Sequence, residues 1–139
     1  MKDDPVFEMA TRVFAAQPFT VFLGAELIEA GAGFATIALP LRSDLKQQHG
    51  FAHGGVVSYL ADNALTFAGG LALGGDALTS EFKINYVKPA GGDRLIAKAT
   101  ARSVGKSQAV CQCDIFFEER DGTPTLCAIA QGTIVGLKR

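Results

Sequence analysis

An excess of charge of one sign is missing from this chain. Thirteen Lys and Arg stand against fourteen Asp and Glu, a formal net charge of −1 over 139 residues. No basic stripe can be drawn on that balance, so nucleic acid is not an expected partner. Cysteine is sparse: Cys111, Cys113 and Cys127 are odd in number and form no C-x-x-C pair. Neither a disulfide framework nor a zinc ribbon is expected, and no metal is called for. Cys111 and Cys113 share one face of a predicted strand and read as buried structural thiols. The opening Met1-Lys2-Asp3-Asp4-Pro5 lacks an apolar run. No secretory signal is expected there, and a reducing cytoplasm is the expected location. Repeats, low-complexity tracts and linkers are also missing, and the length suits one domain over 1–139.

Apolar residues make up 48% of the chain and charged ones 19%. General disorder is thereby excluded. A chain of this size can bury a core without disulfides or a metal. The surplus apolar surface is of the kind that subunit interfaces absorb.

The spacing of Val6, Phe7, Met9, Ala10, Val13 and Phe14 predicts a helix over 5–16, with Asp4 capping it, Pro5 at its first position and Pro18 ending it. Val21, Leu23, Leu27 and Ile28, then Phe34, Thr36, Ile37 and Leu39, read as a β-hairpin that turns on Gly31-Ala32-Gly33. Residues 41–52 are polar and read as a loop. From 53 to 73 almost no polar face remains, which marks a buried helix. Its Asp62-Asn63 centre and Gly69-Gly70 pair argue against a membrane span. Period-two segments follow at Ala77–Val87, Arg94–Val104, Gln108–Glu118 and Thr125–Gly136. Their connections, Pro89-Ala90-Gly91-Gly92-Asp93, Gly105-Lys106 and Asp121-Gly122, predict consecutive, mostly antiparallel strands. The expected fold is α+β, one antiparallel sheet curled around one long central helix.

Chemistry concentrates between Gln47 and Asp62. Gly54 and Gly55 fall where the buried helix begins, and the first N–H groups of a helix have no acceptor within it. With the helix dipole behind them, they form a candidate oxyanion hole, and the absent Cβ atoms let a carbonyl approach. The same glycines also suit close packing of helix on sheet. Asp62 is the one ionisable residue between Tyr59 and Gly75. A buried, unpaired carboxylate is costly, and such groups cluster at functional sites; the alternative is an Asp bonded to Asn63, Ser58 or Thr66. Asp62 lies seven residues past Gly55, a rise of about 10 Å. One chain therefore cannot bring both to a single carbonyl. Two such helices packed antiparallel about a two-fold axis can, which makes the expected state at least a dimer.

Gln47, Gly50, His53, Gly54, Gly55 and Asp62 together resemble the motif of the hotdog-fold acyl-CoA thioesterases of the phenylacetate-degradation (PaaI-like) type. There Asn-x-x-Gly-x-x-His-Gly-Gly is followed by an Asp nine positions after the His. Thr79 to Ala90 is similar to that family's strand ending in a Pro-Ala or Pro-Gly turn, and the likeness extends from about Pro18 to Leu137. The family's Asn is Gln47 here, one methylene longer. The resemblance implies a hotdog fold and hydrolysis of a small aryl-acyl or medium-chain acyl-CoA without a cofactor. It implies catalytic roles for Asp62, Gly54, Gln47, His53 and Thr79. Contacts to substrate are implied for Gly55, His49, Ser80 and Lys88. Tetramers, as dimers of dimers, are common in such families. Lys83, Arg94, Arg102 and Lys106 are further candidates for coenzyme A phosphates, and Phe51, Tyr59, Leu60 and Phe67 for the acyl pocket. Three rival readings are a hydratase or dehydratase of acyl thioesters on the same fold, a non-catalytic acyl-CoA binding protein and a generic structural protein.

Overall fold

A computed structural model of the chain describes residues 4–137. Met1, Lys2 and Asp3 of the acidic opening lie outside the described residues. Helix α1 (Pro5–Ala15) starts as expected: Asp4 is extended, its carboxylate accepts the Val6 N–H at 2.9 Å, and Pro5 fills the first helical position. The region after it differs from expectation. Pro18 does not only end α1 but opens a second helix, α2 (Pro18–Leu23), which closes on Gly24 in the left-handed conformation at φ 84°. Val21 and Leu23 therefore belong to a helix, not to the hairpin. The physical reason is that proline is preorganised for a first helical turn as well as hostile to a preceding one.

Strands β1 (Glu26–Gly31) and β2 (Phe34–Pro40) form the predicted hairpin, with Gly33 at φ 82° in its turn. The central helix α3 (Gly54–Leu73) follows. Strands β3 (Ala77–Tyr86), β4 (Arg94–Val104), β5 (Gln108–Glu118) and β6 (Pro124–Gly136) complete the chain. All pairings are antiparallel, and the sheet runs β1-β2-β4-β5-β6-β3. The expectation that the last four strands are neighbours in chain order is corrected here. β3 does not pair with β4; it lies at the sheet edge, against β6. The segment from 87 to 93 is a crossover, and a proline within it cannot donate to a ladder. Gly132 permits the edge pairing, because a Cβ there would lie 2.5 Å from Phe82 Cβ. The crossover is tied down by the Ala52 N–H, which donates to the Ala90 carbonyl at 2.8 Å.

The inner face of the sheet wraps α3. Leu60, Ala61, Ala64, Leu65 and Ala68 are fully buried against Ile37, Leu39, Leu95, Ile115 and Ile134. Each large aliphatic side chain so buried contributes roughly 1.5–3 kcal/mol. A half-buried stripe remains on α3: Ser58, Asp62, Thr66, Gly70 and Leu73, recurring every three or four residues. The helix is therefore less uniformly enclosed than its composition implies, and this stripe carries the site. The three thiols are unpaired and buried. Desolvation pushes Cys111 and Cys127 up to about 11 and Cys113 higher still.

Gly69 lets the helix lie close on the sheet: a Cβ there would lie 2.6 Å from Ile134 Cβ. Gly69→Ala is expected to destabilise the fold by about 1–3 kcal/mol through overpacking, despite alanine's better helix propensity; urea denaturation checks it. An aromatic disulfide reagent at pH 8 is expected to leave the native thiols untouched and to titrate all three in denaturant. Reaction of the folded protein would contradict their burial.

Candidate active site

The start of α3 divides its two glycines between two tasks. His53 is the N-cap, extended at φ −60° and ψ 137°, and its Nδ1 accepts the Gly55 N–H at 2.8 Å. The imidazole proton therefore sits on Nε2. The N–H groups of Val56 and Val57 reach the His53 carbonyl at 2.9 and 3.3 Å. Among the described residues nothing accepts the Gly54 N–H, so one donor at the positive end of the helix dipole stays open. The cap favours glycine at 55, since a Cβ there would crowd His53 Nδ1 at 3.0 Å. Its N–H is consumed by that cap and is not open to a substrate. A Cβ on Gly54 would meet only ordinary contact with the Tyr86 ring at 3.7 Å. The Tyr86 hydroxyl donates to the Gly54 carbonyl at 3.2 Å and ties the edge strand to the helix start. Nothing in the spacing of the strand residues had singled out Tyr86 for this role.

A cavity of about 360 Å³ opens over this helix start, lined by Gln47, Phe51, Gly54, Tyr86, Lys88 and Cys127 among others. The loop before α3 shapes it. The Gln47 N–H donates to the Phe51 carbonyl at 2.8 Å, and Gly50 turns the chain at φ 87°. Gln47 Oε1 accepts the His49 N–H, which leaves the Gln47 amide nitrogen as a donor. His49 itself is exposed and does not line the cavity. Lys88 does line it, whereas Arg94 is paired with Glu118 at 2.7 Å and Arg102 donates to Gln112.

Asp62 is half-buried, and it is not unpaired as expected. Thr79 on β3 donates to its Oδ1 at 2.5 Å. Thr66, one turn along α3, donates to the Asp62 main-chain carbonyl at 2.7 Å and lies 2.8 Å from the Thr79 hydroxyl. Among the described residues Oδ2 bonds nothing. A β-bulge between Thr79 and Glu81 makes this geometry. Before it Ala77 and Thr79 face α3; after it the inward positions shift to Phe82 and Ile84. Ser80 is exposed at the bulge and takes no part in the cluster. Thr66, weighed in the sequence only as a partner for a structural Asp, is a full member of it.

The residues offered for the acyl pocket disperse. Leu60 is buried in the core, Phe51 lines the cavity at the helix start, and Phe67 faces α1. Tyr59 bonds Thr20 and Asn63, and burial raises its hydroxyl above the ordinary tyrosine value although those two bonds act the other way. The open Gly54 N–H and the Asp62 carboxylate lie eight residues apart on one helix, about 12 Å along its axis.

A family model described as the thioesterase superfamily matches residues 49–123, which include His53, Gly54, Asp62 and Thr79. The chain is 31% identical over 102 residues to the acyl-coenzyme A thioesterase PaaI of Escherichia coli K12, covering 70% of each. A crystal structure of a thioesterase family protein from Silicibacter pomeroyi superposes with a TM-score of 0.87 at 31% identity, over 92% of this chain and 95% of that one. The E. coli PaaI structure shares the fold at a TM-score of 0.83, with 23% identity, over 94% of this chain and 92% of that one.

His53→Ala removes the cap acceptor, and Gly55→Ala drives a methyl group against it. Each is expected to cost about 0.5–2 kcal/mol of stability. Amide exchange at Gly55 and Val56 is expected to accelerate well before exchange in the middle of α3. Unchanged exchange in both variants would show that the cap does not hold the helix start.

Proposed function

The chain belongs to the thioesterase superfamily, and from that premise we propose that it is an acyl-CoA thioesterase with its site shared between two protomers. The observation that carries this reading is the pair of groups on α3: an open N–H at Gly54 and a carboxylate at Asp62 held by the Thr79 hydroxyl, which Thr66 backs. Each is half of a thioester hydrolase, and they lie too far apart within one chain to act on one carbonyl.

The sheet edge offers the way to unite them. β3 has its outer side unpaired by this chain. Thr79, level with Asp62, and Tyr86, level with Gly54, sit toward its two ends. Antiparallel pairing of two β3 strands about Phe82–Lys83 sets Thr79 of one copy opposite Tyr86 of the other. That brings each Asp62 toward the other copy's Gly54 and yields two equal sites. Exposed Phe19, Val21 and Phe22 on α2 support further association into a dimer of dimers.

In the reaction, the thioester oxygen accepts the Gly54 N–H and the helix dipole favours its growing negative charge. Asp62 takes a proton from a water whose oxygen attacks the carbonyl carbon. The tetrahedral intermediate then collapses with cleavage of the C–S bond, and the coenzyme A thiolate leaves and takes up a proton. Gln47 donates from its amide nitrogen beside the carbonyl. Lys88 at the cavity rim meets the coenzyme A phosphates. Free, unpaired cysteines fit a reducing compartment such as the cytoplasm.

Asp62→Asn is expected to lower kcat about 10²–10⁴-fold with the melting temperature little changed. Gly54→Pro deletes the one donor at a position where proline suits a helix, after a His53 that is already extended. Its expected loss is about 10²–10³-fold. Co-refolding the two dead variants in equal amounts is expected to restore about a quarter of wild-type activity, because half the dimers then hold one intact site. No recovery on mixing would overturn the shared site, and full activity of Asp62→Asn would overturn the mechanism.

A further inference from the structure

A second hollow, of about 550 Å³, lies between α1 and the C-terminal half of α3. Val6, Met9 and Val13 line it from α1, Thr66 and Gly70 from α3, and Gly74 from the cap that ends α3. The helices run antiparallel: Phe14 packs on Phe67 with ring centroids 5.6 Å apart, while Gln17 bonds Thr20, which bonds Asn63. Gln17 and Thr66 therefore mark one end of the hollow, and Val6, Gly74, Leu137 and the exposed Asp76 at its rim the other.

Three features give this hollow a purpose. First, it begins at the catalytic cluster, because Thr66 both lines it and lies 2.8 Å from the Thr79 hydroxyl that holds Asp62. Second, α1 has a wider apolar face than the core uses. Ala10 and Phe14 are buried, while Val6, Met9 and Val13 remain 38%, 41% and 43% exposed along the hollow. Third, its floor is kept low by small residues. A Cβ on Gly70 would lie 3.3 Å from the Gly75 carbonyl oxygen and 3.5 Å from Ala77 Cβ. The lining recurs at helical spacing along both helices, so the space is elongated rather than round. From Thr66 to Gly74 the rise is about 12 Å. An extended chain advances roughly 1.3 Å per bond, which corresponds to about nine carbons.

We propose that this hollow is the acyl channel. It takes a linear chain of about eight or nine carbons, with the thioester at Thr66 and Asp62 and the methyl end against Gly74 and Leu137. The assignment rests on the thioesterase reading and names the substrate class: medium-chain acyl-CoA in preference to a compact aryl-acyl group. Gly70 and Val13, on opposite walls, set the chain length accepted.

The test measures kcat/KM for butyryl-, hexanoyl-, octanoyl-, dodecanoyl- and phenylacetyl-CoA. It runs alongside binding of octyl-CoA, a thioether that cannot be hydrolysed. The chain has no tryptophan, so the single indole introduced by Met9→Trp reports binding by its emission. The wild type is expected to gain roughly fourfold per methylene from butyryl to octanoyl and to level off beyond about nine carbons. Gly70→Val and Val13→Trp are each expected to lower the octanoyl-to-butyryl ratio at least tenfold. Octyl-CoA is expected to shift the indole emission of the Met9→Trp variant to shorter wavelength. Should Gly70→Val fail to fold, Val13→Trp, on a half-exposed helix face, carries the comparison. Octyl-CoA bound in the channel with no thioester hydrolysed would support the channel and overturn the activity. Hydrolysis with the same octanoyl-to-butyryl ratio in both variants would overturn the channel and leave the activity standing. Phenylacetyl-CoA preferred over octanoyl-CoA overturns the substrate class. A change in assembly mass in Val13→Trp without a change in ratio identifies the face as a contact between copies and likewise overturns the channel. Neither binding nor hydrolysis overturns both.

Discussion

The burial of α3 against the inner face of the sheet sets the position of every group in the candidate site. Fully buried Leu60, Ala61, Ala64, Leu65 and Ala68 fix its rotation, and Gly69 fixes its depth against Ile134. With rotation fixed, the 3.6-residue period leaves one stripe that the sheet does not cover. Asp62, Thr66 and Gly70 fall on that stripe because they stand three or four residues apart. The same constraint places the helix start at one end of the sheet, where the crossover from β3 and the polar loop meet around Gly54.

Polar groups on an otherwise apolar helix have to find partners, and here the partners tie the elements together. Asp62 finds Thr79 and so ties α3 to the edge strand. Asn63 finds Tyr59 and Thr20 and so ties α3 to α2. Tyr86 closes on the Gly54 carbonyl and ties the other end of β3 to the helix start. Among the described residues no buried side-chain nitrogen or oxygen lacks a partner. Two groups stay open where the hydrolysis is proposed, the Gly54 N–H and Asp62 Oδ2. A donor left open at a helix start and a carboxylate oriented through only one of its oxygens are the two groups on which the proposed hydrolysis depends.

Much of this was legible in the sequence, and the misreadings have physical causes. The caps, the hairpin glycines and the bounds of the last four strands follow from local chemistry, and the structure places them within a residue or two. Pro18 was ambiguous because proline ends one helix and begins another by the same fixed φ. The Pro89–Asp93 segment has turn composition, but composition does not reveal which strand lies across it. Gly55 read as a second open donor, yet the imidazole that precedes it folds back onto that N–H. Thr66 was undervalued because a helical threonine commonly bonds only the carbonyl one turn back; it does so here, and it also meets Thr79.

By itself the sequence determined the elements, the buried helix and the presence of a lone carboxylate near its middle. These depend on residue spacings of two to four, which a chain carries locally. Only the tertiary structure decided that β3 crosses to the sheet edge beside β6, that a bulge turns Thr79 toward Asp62, and that α1 stands off from α3 far enough to leave an elongated hollow. Those outcomes depend on pairing and packing between residues distant in the chain, such as Phe82 against Gly132 and Phe14 against Phe67.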